Sequence, residues 1–194
     1  MSDKLDKYKK VISKDDLSSL NLGRYLGEII LVDTDNALNE ACEEIANCSV
    51  IGIDTETKPS FKKGVVNSVA LLQIATDKRV YIIRLKSVMM SSELASIFSN
   101  KNITKVGIAV RDDLKDLKKI HPFDEKSVVD LNVLAQELGF ESIGAKKLSA
   151  LVLGFRISKR QQVSNWELEE LTQAQINYAA TDAWICREIY LRLT

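Results

Sequence analysis

The chain has 194 residues, 27 basic and 27 acidic side chains and a single histidine, so its formal net charge is zero. That balance excludes nucleic-acid binding by bulk positive charge and an acidic solvating role. It leaves room for a site where charge is concentrated locally. Hydrophobic residues at 45%, charged residues at 28%, and only 2 Pro and 8 Gly exclude long disordered or fibrous stretches and fit one globular domain.

In chain order, residues 1–26 read as an N-terminal arm with a short helix after Ser13, and residues 27–194 as a single domain. Glu28 to Val32 is a short apolar run and a predicted strand. Asp33 or Thr34 can cap the following helix, where Ala37, Ala41, Ile45 and Ala46 recur at helical spacing. Ser49 to Asp54 has the β-branched composition of a buried strand. Val65 to Thr76 and Arg79 to Arg84 read as two strands joined at Asp77-Lys78. Ser91 to Phe98 reads as a helix, Ile103 to Ala109 as a strand, and Asp112 to Ile120 as a helix ended by His121-Pro122. From Asp130 onward the pattern is helical, broken near Gly139 to Gly144 and Gly154 to Asn165. Strand-helix-strand units followed by helices predict an α/β domain with a mixed sheet.

Cys42, Cys48 and Cys186 are odd in number and contain no C-x-x-C pair. A disulfide framework or structural zinc is not expected, and a reducing, cytoplasmic setting fits. The N-terminus MSDKLDKYKK has no apolar stretch of a secretory signal, and no run approaches the ~18 apolar residues of a membrane span. No membrane partner is expected.

Three segments carry candidate chemistry. Val50-Ile51-Gly52-Ile53-Asp54-Thr55-Glu56 brings two carboxylates out of an apolar strand. Strand alternation puts Asp54 and Glu56 on one face, where their mutual repulsion is relieved by a hard cation such as Mg²⁺ or Mn²⁺. A strand end entering solvent would look the same. In Gln175 to Arg187, Tyr178 and Asp182 lie one helical turn apart on one face. Ala179, Ala180 and Ala183 surround them and read as leaving space beside that face; a packed Tyr and a surface Asp are the bland alternative. In KVGIAVRDDL, acids in a first helical turn suit the helix dipole and cap. Phase separates the two: Asp113 shares the inward stripe of Leu117, whereas Asp112 falls with Asp116 and Lys119 as cap or surface.

Together these segments resemble the DEDD superfamily of 3′→5′ exonucleases in its tyrosine-bearing branch, the ribonuclease D and Werner-syndrome exonuclease group. The matching motifs are IDTETKPSF followed by VALLQIAT, then KVGIAVRDDL, which also selects Asp113, then YAATD. The resemblance runs from about Ile30 to the C-terminus. It implies a ribonuclease H-like mixed β-sheet flanked by helices, and phosphodiester hydrolysis at the 3′ end of DNA or RNA by two divalent ions, Mg²⁺ or Mn²⁺. On that resemblance Asp54 is the shared ligand, Glu56 and Asp182 hold the first metal, Asp113 reaches the second, and Tyr178 aims the attacking water. Tyrosine is a poor base on its own, with a free pKa of ~10.

Substrate contacts are expected at Thr57, Lys58, Lys159, Arg160, Ser164, Asn165 and Trp166. From Ser142 to Trp166 there is no acid, and Lys146, Lys147, Arg156, Lys159 and Arg160 give a local net of +5. Lys58, Lys62 and Lys63 form a second basic patch after Glu56. Phosphate binding and an ordinary solvated face are both compatible with them. Phe61 and Trp166 suit either base stacking or packing, and Ser164 and Asn165 either contact the terminal nucleotide or hold their loop. Thr57 stands where the family often carries an aromatic residue. Only 12 residues follow Asp182, leaving no room for a helicase or helical accessory domain. His121 reads as a helix-end residue. The competing readings are a non-catalytic nucleic-acid-binding module on the same fold and a metal phosphatase acting on mononucleotides. Oligomeric state is open.

Overall fold

The computed structural model describes residues 5, 7–60, 64 and 67–194. Six strands form one sheet in the order β1-β4-β3-β2-β5-β6. They are β1 (Glu28–Val32), β2 (Val50–Thr57), β3 (Val69–Ala75), β4 (Arg79–Arg84), β5 (Thr104–Gly107) and β6 (Val128–Asp130). Only β3 runs against the rest: it pairs antiparallel with β2 and β4, while β1–β4, β2–β5 and β5–β6 are parallel. This is the mixed sheet expected from the sequence, and β2, the D-x-E strand, lies inside it.

Helices cover both faces, which is why β3 is buried along its whole length and β4 between its terminal arginines. Alternation along β4 splits its side chains between two layers: Tyr81 and Ile83 go to one core, Val80 and Ile82 to the other. The first core is closed by α2 (Asp35–Ile45), α3 (Ser92–Ser99) and α4 (Val110–Ile120), through residues such as Leu38, Leu94, Phe98 and Leu114. The second is closed by α7 (Gln173–Leu193), with Ala179, Ala180 and Ala183 fully buried against the sheet. Between them come α1 (Lys14–Ser19), α5 (Leu131–Glu137), α6 (Ala145–Leu148) and a π-helical turn, Ser149–Leu153.

Side-chain caps set the helix starts, and Ser91, read as the first residue of its helix, is the cap instead. Ser13 caps α1, Thr34 rather than Asp33 caps α2, and Ser91 caps α3, each through a side-chain oxygen accepting a backbone N–H. At α7, Thr172 and Gln175 form a reciprocal capping box.

Several expectations are corrected. β6 is not anticipated by the sequence, where only its last residue, Asp130, falls in the region read as helical; its three half-buried residues owe their strand state to pairing with β5. β2 does not end at Asp54 but continues to Thr57, with a register shift at Glu56/Thr57. The predicted strand from Val65 begins at Val69, and Val65 and Val66 lie outside the described residues. Helix α4 starts at Val110 instead of Asp112. Its N-cap is Ala109, which adopts a left-handed conformation (φ 56°) and has no side chain to cap with; its own N–H donates to Asp130 Oδ1. Among the described residues no helix is long and apolar enough to cross a membrane.

Candidate active site

The β2 strand and α7 together build the centre. Asp54 and Glu56 project from one face of β2, and α7 crosses that face, bringing Asp182 to them. Each of the three offers a carboxylate oxygen within 4.8 Å of the others. The contact is close because both partners are small. A Cβ added to Gly52 would stand 2.1 Å from the Ala183 carbonyl oxygen. Ala179, Ala180 and Ala183 therefore do not leave open space beside the site, as the sequence reading had it. They let the helix lie tightly on the sheet.

Burial and mutual repulsion dominate the electrostatics. Burial, then Asp182 and Glu56, push the Asp54 carboxyl well above its ordinary range. Glu56 is pushed up to about 8 by burial and then by Asp182, with Lys159 opposing. Asp182 is also raised by burial, offset by Lys159 and by the Tyr178 hydroxyl. Lys159 supplies the cation here. Its Nζ donates to Asp182 Oδ2 at 2.9 Å and to Tyr178 Oη at 3.3 Å. Even so, Asp182 Oδ1 is buried without a hydrogen-bond partner. An orphaned carboxylate oxygen among three raised acids is the environment that a divalent cation suits, with hard oxygen donors throughout.

Asp113 faces inward, as its phase implies, and Asp112 is exposed. Yet Asp113 is not one of the three clustered acids. Its carboxylate accepts a hydrogen bond from Thr55 Oγ1, and burial pushes it to about 6 against the lowering effect of that bond. Thr55, absent from the sequence candidates, lies between the two acids of β2 and lines the same pocket; its place inside the D-x-E motif is the signal that could find it. The Tyr178 ring packs against Trp166, with centroids 5.8 Å apart. Burial and the neighbouring Asp182 drive its hydroxyl pKa further up, so Tyr178 stays protonated.

The expected substrate residues separate. Trp166 is only 1% exposed and belongs to the core under α7. It has no free face on which a base can stack, so of the two readings of Trp166 its burial matches packing. Ser164 donates to Gln161 Oε1, while the Asn165 carbonyl accepts from Gln175 and its side chain from the Glu167 N–H; both hold the loop. Lys58 pairs with Glu167, which also binds Lys86. Arg84 reaches the Leu168 and Glu169 carbonyls, fixing the same loop from below. Thr57 is half-buried at the bulge, Arg160 is exposed, and Phe61, Lys62 and Lys63 lie outside the described residues. His121 is the C-cap residue of α4, as expected.

A mixed six-stranded sheet with a carboxylate cluster on a central strand and a crossing C-terminal helix defines the ribonuclease H-like nuclease class. Residues 29–194 match the family described as 3′-5′ exonuclease, and the chain belongs to that family. It is 28% identical over 165 residues to ribonuclease D of Acidiphilium cryptum (strain JF-5), covering 84% of this chain and 42% of that protein. It is 31% identical over 157 residues to the mouse (Mus musculus) bifunctional 3′-5′ exonuclease/ATP-dependent helicase WRN, covering 77% of this chain and 11% of that protein. The crystal structure of the Aedes aegypti Nibbler EXO domain superposes with a TM-score of 0.81 at 26% identity, covering 88% of this chain and 90% of that one. The chain thus spans less than half of either curated relative's length, and 22–39% of four others.

Proposed function

We propose that this chain is a metal-dependent 3′→5′ exonuclease that hydrolyses the terminal phosphodiester bonds of DNA or RNA. The observation that carries this reading is the cluster of Asp54, Glu56 and Asp182 within 4.8 Å, with one buried carboxylate oxygen unpartnered. A solvated acidic patch would be exposed and would not raise its own pKa values; here Glu56 and Asp182 are buried.

Asp54, Glu56 and Asp182 would hold two divalent ions, Mg²⁺ or Mn²⁺, with Asp113 contributing from the Thr55 side. When bound, such ions neutralise charge on the phosphodiester and lower the pKa of water. The residues of the chain do the positioning. Burial and the acids around it keep Tyr178 protonated, and its Oη accepts from Lys159 Nζ, which leaves its O–H free to donate toward a water or phosphate oxygen without taking a proton. Its ring is braced by Trp166, which fixes the hydroxyl. Lys159, on the rim, can exchange Asp182 for a phosphate oxygen. The segment carrying it is held by hydrogen bonds between Arg156 and the arm. Thr55 keeps the Asp113 carboxylate turned inward. Relatives named for ribonuclease D and for a 3′-5′ exonuclease/ATP-dependent helicase support nucleic acid as the substrate.

Mn²⁺ or Mg²⁺ is expected to support stepwise release of mononucleotides from a 3′-labelled oligonucleotide. Asp54→Ala and Asp182→Ala are each expected to abolish it. Release that persists in both variants would sink the assignment, and divalent binding without any release would favour a binding module instead.

A further inference from the structure

Tyr178 is a partition between two cavities. On one side is the acidic pocket of about 210 Å³, lined by Asp54, Glu56, Lys159 and Asp182. On the other is a larger cavity of about 420 Å³. The extended segment 158–160 divides in the same way: Lys159 turns into the acidic pocket, while Ser158 and Arg160 turn into the larger one. The acidic pocket is smaller than the ~300–1,000 Å³ typical of small-molecule sites, and the second cavity falls inside that range.

The N-terminal arm makes the outer wall. Gly23 N–H donates to the Arg156 carbonyl at 2.9 Å, Arg156 N–H donates to the Asn21 carbonyl at 3.0 Å, and the Tyr25 N–H donates to Thr181 Oγ1 at 3.0 Å. A Cβ on Gly23 would stand 2.2 Å from the Phe155 ring, so the arm lies flat against the domain. The wall presents Arg24, opposite Arg160, Ala174 and Asn177. No acid lines this cavity, and among the described residues neither arginine is held in an ion pair. Two unpaired guanidinium groups over a surface of Leu22, Ala174 and the tyrosine ring combine phosphate recognition with an apolar seat for a base.

We propose that this cavity is a second nucleotide subsite, taking a phosphorylated nucleoside beside the reacting phosphodiester, with phosphate on Arg24 and Arg160 and the base against Leu22, Ala174 and Tyr178. It rests on the exonuclease reading and extends it: the arm is part of the substrate site. An inner unit of the strand and the released mononucleotide share this chemistry, and binding experiments separate them.

Two exposed positions test the subsite without touching the acids. Arg24→Ala removes a cation, and Ala174→Phe fills the cavity. Anisotropy with a labelled 12-mer, with Ca²⁺ replacing the activating ions, reports strand binding; competition by a nucleoside 5′-monophosphate reports product binding. Both variants are expected to bind the strand about 5–10-fold more weakly, and Arg24→Ala to lower the salt slope by about one. Mn²⁺ affinity by calorimetry and thermal melting should not change. If only mononucleotide competition weakens, the occupant is the released product. Variants that bind both ligands like the wild type, or a wild type that binds neither, overturn the subsite. Cleavage by the same preparations tests the exonuclease reading separately: wild type that binds as expected but never cleaves removes that reading and leaves the subsite.

Discussion

Gly52→Ala is the perturbation that most directly tests how the site is assembled. Gly52 sits two residues before Asp54, and the atom it faces is the carbonyl oxygen of Ala183, the neighbour of Asp182. An added methyl would stand 2.1 Å from that oxygen and 2.8 Å from the Arg187 nitrogen, both backbone atoms that cannot rotate away. Real Cβ atoms essentially never come within 3.0 Å and ordinary contact begins at 3.4 Å, so β2 and α7 must separate by about 1 Å or slightly more. Overpacking of this kind destabilises by ~1–3 kcal/mol. The same separation moves Asp182 away from Asp54 and Glu56, and a displacement of ~1 Å at a reacting centre lowers turnover ~100-fold. Urea unfolding measures the first effect. Calorimetric titration with Mn²⁺ and single-turnover cleavage measure the second, and metal affinity should fall together with rate. A variant that keeps wild-type stability and Mn²⁺ affinity would refute the argument that close β2–α7 packing sets the acid cluster.

Tyr178→Phe removes the donor while keeping the ring against Trp166; turnover should fall ~10–100-fold with the melting temperature nearly unchanged, and full turnover would contradict the positioning role. Lys159→Met strips the cation from Asp182 in the metal-free protein. A loss of ~2 kcal/mol is expected, below the ~3–5 of a fully buried pair because the lysine side chain is 31% exposed, and Mn²⁺ should restore most of it in a thermal scan. Glu56 rises from an ordinary 4.5 to about 8 on folding. The metal-free folded state therefore holds a proton that the unfolded chain has lost, and stability should fall as pH rises from about 4.5 to 8. Saturating Mn²⁺ should flatten or reverse that slope, because metal binding favours the ionised acids; a metal-free stability that rises with pH across this window would contradict the burial argument.

Much of the architecture was legible where the signal is local. The caps at Ser13, Thr34 and Ser91, the apolar runs of β1, β3 and β4, and the breaks at Gly139 to Gly144 follow from nearest-neighbour chemistry. β6 was not legible, because a three-residue strand has no periodicity of its own. The start of α4 was misplaced because Ala109 turns the chain through a left-handed backbone, which an alanine does not advertise. Trp166 could be read as packing or stacking until α7 and its loop closed over it.

By itself the sequence determined the strand alternation that pairs Asp54 with Glu56, the helical turn that stacks Tyr178 on Asp182, and the absence of bulk charge. Tertiary structure alone decided which groups meet. Asp182 joins the β2 acids because Gly52 and the small face of α7 permit contact, Lys159 enters among them, and Asp113, outside that cluster, is bonded to Thr55. The physical reason is range. Periodicity and capping act over a few residues, whereas burial and Coulomb coupling depend on which distant segments share a desolvated space. The zero net charge is therefore a sum over opposites that the fold sorts locally: a few acids gathered in one buried centre, with Lys159, Arg160 and Arg24 around it.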